Sequence, residues 1–146
     1  MYSKQMTAGW ADMDFNSHMR NTAYLDKAVD VRFMFLAEHG YPIGEFVRLK
    51  LGPVALKDEL EYYREIQLLQ EFTVTLELAG MSPDGMRWRL RHEVLRSDGK
   101  ICAKITSIGG WLDLAARKLI VPPEGLMATW KKLTPTTDYT ELRAGS

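Results

Sequence analysis

The sequence predicts an α+β domain, a curved antiparallel β-sheet wrapped around one long central α-helix. Three observations point to it. Thr22 to His39 form a stretch free of Gly and Pro, with apolar residues at helical spacing. Four later runs carry strand-like apolar and polar alternation and are separated by turn residues or short charged breaks. A short strand-like segment precedes the helix, so the order is strand, helix, four strands. A long apolar helix beside a single sheet is buried best when the sheet curls around it.

The first element is "YSKQMTAGW", Tyr2 to Trp10, long enough for one strand. In the helix, Tyr24, Leu25, Ala28, Val29, Val31, Phe35 and Leu36 share a broad apolar arc that Phe33 and Met34 widen, while Asp26, Lys27, Asp30 and Glu38 mark a wetter side. Gly40 follows as a C-cap. The strand runs are Leu51 to Tyr63, Phe72 to Gly80, Arg87 to Arg96 and Ile101 to Leu114. Phe72, Val74, Leu76 and Leu78 alternate with Thr73, Thr75 and Glu77, the period of a half-buried strand. "SPDG" at Ser82 to Gly85 and "SDG" at Ser97 to Gly99 make consecutive hairpins. Gly109 and Gly110 are expected to mark a bulge or bend where the sheet curls most. Glu124 to Leu133 predict a short terminal helix, and the tail from about Thr134 is expected to be loosely held. With no internal repeat or low-complexity tract, residues 1 to 146 read as a single domain.

Composition narrows the function classes. Nineteen basic and nineteen acidic side chains balance, so no global field gathers nucleic acid or an anionic membrane. The single cysteine, Cys102 in "KICAKI", reads as a buried strand thiol and suits a reducing cytoplasm. The N-terminus lacks a secretory apolar core and no run is long enough to span a bilayer, so a cytoplasmic protein without membrane insertion is expected. Cys102, His18, His39 and His92 lack metal-ligand spacing, and no metal site is expected. Neither a nucleophile-elbow serine nor a G-x-G-x-x-G loop is present.

The chemistry concentrates in "WADMDFNSHMRNTAYL", Trp10 to Leu25. Asp12, Asp14, Asn16, Ser17, His18, Arg20 and Asn21 crowd in front of the helix. A structural role is simple: Asn21 or a neighbour caps the helix while the aspartates sit near its positive end, each stabilising it by up to about 1 kcal/mol. One cap needs one side chain, however, and this segment supplies many. A carboxylate near open backbone N–H groups is also the arrangement that attacks an acyl carbon while its oxygen gains charge.

The segment resembles the D-x-D-x-x-G-H-x-N-N-x-x-Y-L signature of hotdog-fold acyl-CoA thioesterases of the 4-hydroxybenzoyl-CoA thioesterase type. The element order agrees with that fold, and "WLDLAARKLIVPPEGL" resembles the family's closing segment, so the likeness extends over roughly residues 8 to 127. The resemblance implies hydrolysis of an acyl-CoA thioester to a carboxylic acid and CoA, without a cofactor. Asp14 matches the catalytic carboxylate, as general base or as nucleophile. Asn21 matches the first-turn residue whose backbone N–H polarises the thioester carbonyl. His18 aligns with the motif histidine, to orient the loop or bond the acyl region. Tyr24 and Leu25 match core or acyl-pocket positions, and Tyr63 and Arg64 are expected to bind substrate.

Ser17 stands where the family has Gly, and Arg20 where Asn is common, both within the expected substrate-binding loop. If the Gly position needs positive φ, Ser17 is strained there. Arg20 would add a cation beside the carboxylate and favour its ionised form. The fold implies a homodimer or homotetramer, with Val54 to Tyr63 of a partner completing the pocket. Two other readings stay open: a noncatalytic acyl-CoA-binding protein, and a dehydratase acting on a hydroxyacyl thioester. Near-zero net charge favours coenzyme A over an acidic carrier protein.

Arg87, Arg89 and Arg91 alternate on one strand face and read as a phosphate site or, preferably, as a solvated outer face paired with Glu77 or Glu93. His39 suits the helix C-terminus, and His92 reads as structural. Met81, Met86, Trp88 and Trp111 read as core.

Overall fold

A computed structural model describes residues 1–143. The elements are β1 (Tyr2–Thr7), a 3-10 turn (Trp10–Asp12), α1 (Asn21–Glu38), α2 (Ile43–Leu49), β2 (Leu51–Tyr62), β3 (Glu71–Met81), β4 (Arg87–Arg96), β5 (Ile101–Asp113), β6 (Lys118–Ile120) and α3 (Glu124–Trp130). The strands form one antiparallel sheet in the order β1-β3-β4-β5-β2, with β6 added to β5. This is the hotdog architecture, with α1 as the filling.

The core lies between α1 and the inner face of the sheet. Ala23, Ala28, Val31 and Leu36 of α1 are buried against the inward residues of β3, β4 and β5, among them Leu76, Leu90 and Ile105. In β4 the alternation is complete: Trp88, Leu90, His92 and Val94 are buried, while Arg87, Arg89 and Arg91 face outward. Trp88, Trp111 and Trp130 meet at ring separations of 5.8 to 6.4 Å and close one end of the barrel-like fold with Phe35 and Phe46. Trp88 and Trp111 are thus core, as expected.

Four features differ from expectation. A short helix, α2, occupies Ile43–Leu49, where its length and internal Gly44 hide it in the sequence; Lys50 in the left-handed region ends it. The three-residue β6 is too short to show a period. Gly109 and Gly110 pair regularly with both neighbours, and the extra residue of the nearby bulge is Leu56 on β2. Gly109 is required by close approach, because a Cβ there would run into the Trp88 ring and the Val54 carbonyl.

The tail, finally, is tied down. The Thr134 carbonyl accepts from Leu78 N–H, Thr136 N–H donates back to Leu78, and Thr140 and Leu142 donate to Ala79 and Met81. The segment exploits the β3 bulge between Leu78 and Gly80, which frees backbone groups for a passing chain. Its Asp138 also holds Arg91 at 3.1 Å, a partner other than the expected Glu77 or Glu93. Residues 144–146 of the expected loose tail lie outside the described residues.

Candidate active site

The polar segment before α1 folds as a small looped hairpin. Met13 and Met19 form an antiparallel bridge, His18 bridges to Gln67, and Met19 N–H donates to the Ile66 carbonyl. Within the loop Asp14 N–H donates to the His18 carbonyl at 2.7 Å, and Ser17 N–H to the Asp14 carbonyl at 3.1 Å. Closing so tight a turn puts Ser17 at φ 62°, the left-handed region that favours glycine. Ser17 thus carries the strain expected of a non-glycine residue at positive φ.

The two aspartates divide the work. Asp12 is structural: its Oδ2 accepts the Gly9 N–H at 2.9 Å and its Oδ1 pairs with Lys27 Nζ at 3.2 Å, fastening the loop to α1. Asp14 is exposed, and its Oδ1 accepts N–H bonds from Asn16 at 2.8 Å and His18 at 3.1 Å. Those bonds orient the carboxylate. No hydrogen bond to Oδ2 is recorded among the described residues.

Helix α1 starts at Asn21, and its N-cap is Arg20 with no side-chain cap. The N-cap thus falls on a member of the polar cluster, as expected, but it caps with its backbone carbonyl, which accepts the Ala23 N–H at 3.0 Å, and Asn21 is the first helical residue rather than the cap. The Arg20 side chain is drawn off by the Ala11 carbonyl, by Thr22 Oγ1 at 3.1 Å and by Asp26 at 3.4 Å. It does not line the cleft with Asp14, which corrects its expected place beside the carboxylate. Ser17 is also outside the lining. Among the described residues nothing accepts the backbone N–H of Asn21, so the positive end of an 18-residue helix is open.

A cleft of about 270 Å³ lies in front of that helix end, lined by Asp14, His18, Asn21, Tyr24, Tyr63 and Arg64. Six of the eight residues expected at the site are thus brought together. Met19, Tyr62 and Glu65 complete the wall; sequence reading missed Met19 and Glu65, and expected Tyr62 there only from a partner's strand. Tyr62 donates from its hydroxyl to the Asn21 carbonyl at 2.9 Å and sets its ring edge-on to Tyr24 at 5.5 Å. Burial pushes the Tyr24 hydroxyl up to about 12, keeping it a neutral donor at physiological pH. Glu65 Oε2 lies 3.2 Å from His18 Nε2. The adjacency of Glu65 and Tyr62 to Tyr63 and Arg64 in "EYYRE" is the one sequence signal for them.

Tyr63 donates to Glu61 at 2.9 Å, which together with burial raises its hydroxyl above the usual phenolic range. Arg64 Nη1 donates to the Ile101 carbonyl at 2.8 Å, so the start of β5 holds one side of its guanidinium. The arrangement offers a carboxylate, open helix-start N–H groups, a histidine–carboxylate pair and hydroxyl donors around one open cleft. Among the described residues there is no cluster of side chains suited to a metal ion, and no helix is long and apolar enough to cross a membrane.

Known proteins share this build. A hypothetical protein from Staphylococcus aureus, solved in complex with CoA, superposes with a TM-score of 0.82 at 24% identity, covering 92% of this chain and 85% of the other. A 1,4-dihydroxy-2-naphthoyl-CoA thioesterase from Synechocystis matches with a TM-score of 0.80 at 11% identity, over 90% and 96% of the two chains. A probable thioesterase from Escherichia coli matches at 0.74 and 18% identity, over 90% and 98%. At these identities the likeness establishes the fold. A search of curated proteins gives no significant match. The family is fixed by a sequence model that matches residues 8–129, a span holding the polar loop, α1 and all the long strands: the chain belongs to the thioesterase-like superfamily.

Proposed function

We propose that the protein hydrolyses the thioester of an acyl-CoA to a carboxylic acid and free CoA, with Asp14 as the base or nucleophile. The observation that carries this reading is the meeting of the Asp14 carboxylate and the first turn of α1, which has no side-chain cap, in one cleft. With Asp14 as base, water loses a proton to the carboxylate and attacks the acyl carbon; the tetrahedral oxyanion collapses, breaks the C–S bond and releases the thiol, which takes the proton back. With Asp14 as nucleophile, its carboxylate attacks the acyl carbon and the C–S bond breaks, expelling the CoA thiolate and leaving a mixed anhydride; water then cleaves the anhydride to the carboxylic acid and the free Asp14 carboxylate, and the proton released goes to the thiolate. Both routes load negative charge on the former carbonyl oxygen, where the Asn21 N–H and the helix dipole stabilise it. His18, braced by Glu65, orients the loop and the acyl region. The reaction calls on no cofactor.

Support for acyl-CoA comes from the superfamily and from the CoA complex of a structural neighbour. Balanced charge disfavours an acidic carrier or nucleic acid as partner, and the buried Cys102 suits a reducing cytoplasm. The site is completed by a second copy. β2 is an edge strand of twelve residues with an open row of backbone groups, a surface that proteins cover or pair. Antiparallel pairing of β2 with its copy would set the Tyr62 end, where the cleft lies, beside the partner's Leu51 end, and two such dimers could form a tetramer.

The test is thiol release from short, long and aromatic acyl-CoAs, with light scattering of the same sample. Thiol release by a dimer or larger assembly is expected. Binding without release would favour the noncatalytic reading, and loss of water with the thioester intact would favour the dehydratase. A monomer would contradict the paired site.

A further inference from the structure

An apolar slot of about 110 Å³ opens between the C-terminal half of α1 and the start of β2, lined by Val29, Phe33, Leu36, Trp88 and Trp130. Its wall holds one charged group, Arg32, which is 7% exposed. A cation buried in a hydrocarbon slot is costly and asks what it is for.

The guanidinium is held on two of its three nitrogens. Nε donates to His92 Nε2 at 2.9 Å, and Nη2 donates to Ser107 Oγ at 2.5 Å; Ser107 in turn donates to Asp58. His92 Nδ1 lies 2.8 Å from the Thr75 carbonyl, an acceptor, so that nitrogen carries the proton and Nε2 is free to accept from Arg32. Burial, then the charge of Arg32, hold His92 down to about 3, so it adds no second cation. Arg32 itself, lowered by burial to about 10, stays charged at neutral pH. The third nitrogen, Nη1, has no recorded partner, although it is not among the sealed, unsatisfied atoms of the interior. Asp58, an exposed carboxylate, reaches Arg32 through the Ser107 hydroxyl. The indole N–H groups of Trp88 and Trp130, whose rings line the slot, also lack acceptors among the described residues. The slot is apolar along its sides and short of acceptors.

Within one chain the slot and the Asp14 cleft are neighbours along α1, where Tyr24 lines the cleft and Val29 the slot, about 7.5 Å of helix rise apart. Along β2 the two rims lie further apart, with Pro53 and Ala55 at the slot, Tyr62 at the cleft, and seven residue steps of about 23 Å from Ala55 to Tyr62.

Resting on the acyl-CoA reading, we propose that the slot receives the far end of the acyl group, and that Arg32 selects acyl groups ending in a carboxylate. A carboxylate gives the open edge of the guanidinium a charge-assisted hydrogen bond. A methyl end leaves that edge desolvated and unpaired.

The test uses non-hydrolysable CoA thioethers of equal chain length ending in methyl or carboxylate, with calorimetric binding to the wild type, Arg32→Met and Arg32→Lys. The wild type should bind the carboxylate-ended compound at least tenfold more tightly. Arg32→Met should abolish or reverse that ratio, and Arg32→Lys should keep part of it. Because the readout is a ratio, a general loss of folded protein does not imitate the effect. A wild-type ratio near one, or a ratio unchanged in Arg32→Met, would overturn the proposal. Thiol release from the matching acyl-CoAs is measured in parallel: its absence counts against the hydrolase reading, while the binding ratio still decides the role of Arg32.

Discussion

The hydroxyl of Tyr62, on the last residue of β2, donates to the backbone carbonyl of Asn21, the first residue of α1, at 2.9 Å. A sheet edge and a helix start are thereby joined at the mouth of the cleft. Tyr62→Phe removes this bond and keeps the edge-on contact with Tyr24. It should cost about 1 kcal/mol of stability and lower the rate of thiol release several-fold, since the first turn loses a tether. Thermal melts and steady-state kinetics on the same preparation check both effects.

Ser17 sits at φ 62° with no side-chain hydrogen bond among the described residues. The left-handed conformation costs a non-glycine residue roughly 1 kcal/mol or more, part of which glycine returns through its larger unfolded-state entropy. Ser17→Gly should therefore raise the melting temperature modestly and leave the rate unchanged, whereas Ser17→Val should lower it. Equal melting points for the three proteins would contradict the strained-turn account.

His92 governs a pH response. The folded protein holds it neutral down to about 3, whereas in the unfolded chain it titrates near 6.5. Between those values the unfolded chain binds a proton that the folded chain refuses. Stability therefore falls as the pH drops through this window, by on the order of a few kcal/mol. Arg32 faces the ring and favours the neutral form, while the Thr75 carbonyl partly opposes it. His92→Gln, which keeps a donor and an acceptor, should flatten the stability curve between pH 6.5 and 4 in denaturant titrations.

These residues show what was legible in the sequence. The helix was readable because its period, its freedom from Gly and Pro, and Gly40 beyond it are local signals, and β3 and β4 were readable from strict alternation. Asp14, His18, Asn21 and Tyr24 sit within one short segment, and its resemblance to a thioesterase signature is what singled them out; the same crowding of polar residues also fitted a helix start. Arg32 was hidden because its cost of burial is met by His92 and Ser107, sixty and seventy-five positions away. The pinned tail was hidden for the same reason: its partners are backbone groups freed by a bulge in β3. Arg20 was misplaced because proximity in sequence says nothing of which carbonyl a long side chain will find.

The central claim is that the Asp14 carboxylate does the chemistry and is more than a brace for the loop. Asp14→Asn separates the two, because the amide oxygen can still accept the Asn16 and His18 backbone N–H bonds that Oδ1 accepts while the charge and basicity are gone. The decisive measurement is thiol release by wild type and Asp14→Asn on the best acyl-CoA, with melting temperature and assembly state determined alongside. The account expects kcat to fall by roughly a hundredfold or more, in line with the loss of a positioned acid–base group, with stability and assembly unchanged. An Asp14→Asn protein that hydrolyses as fast as the wild type would contradict it, and would leave Asp14 as a turn-forming residue in front of α1.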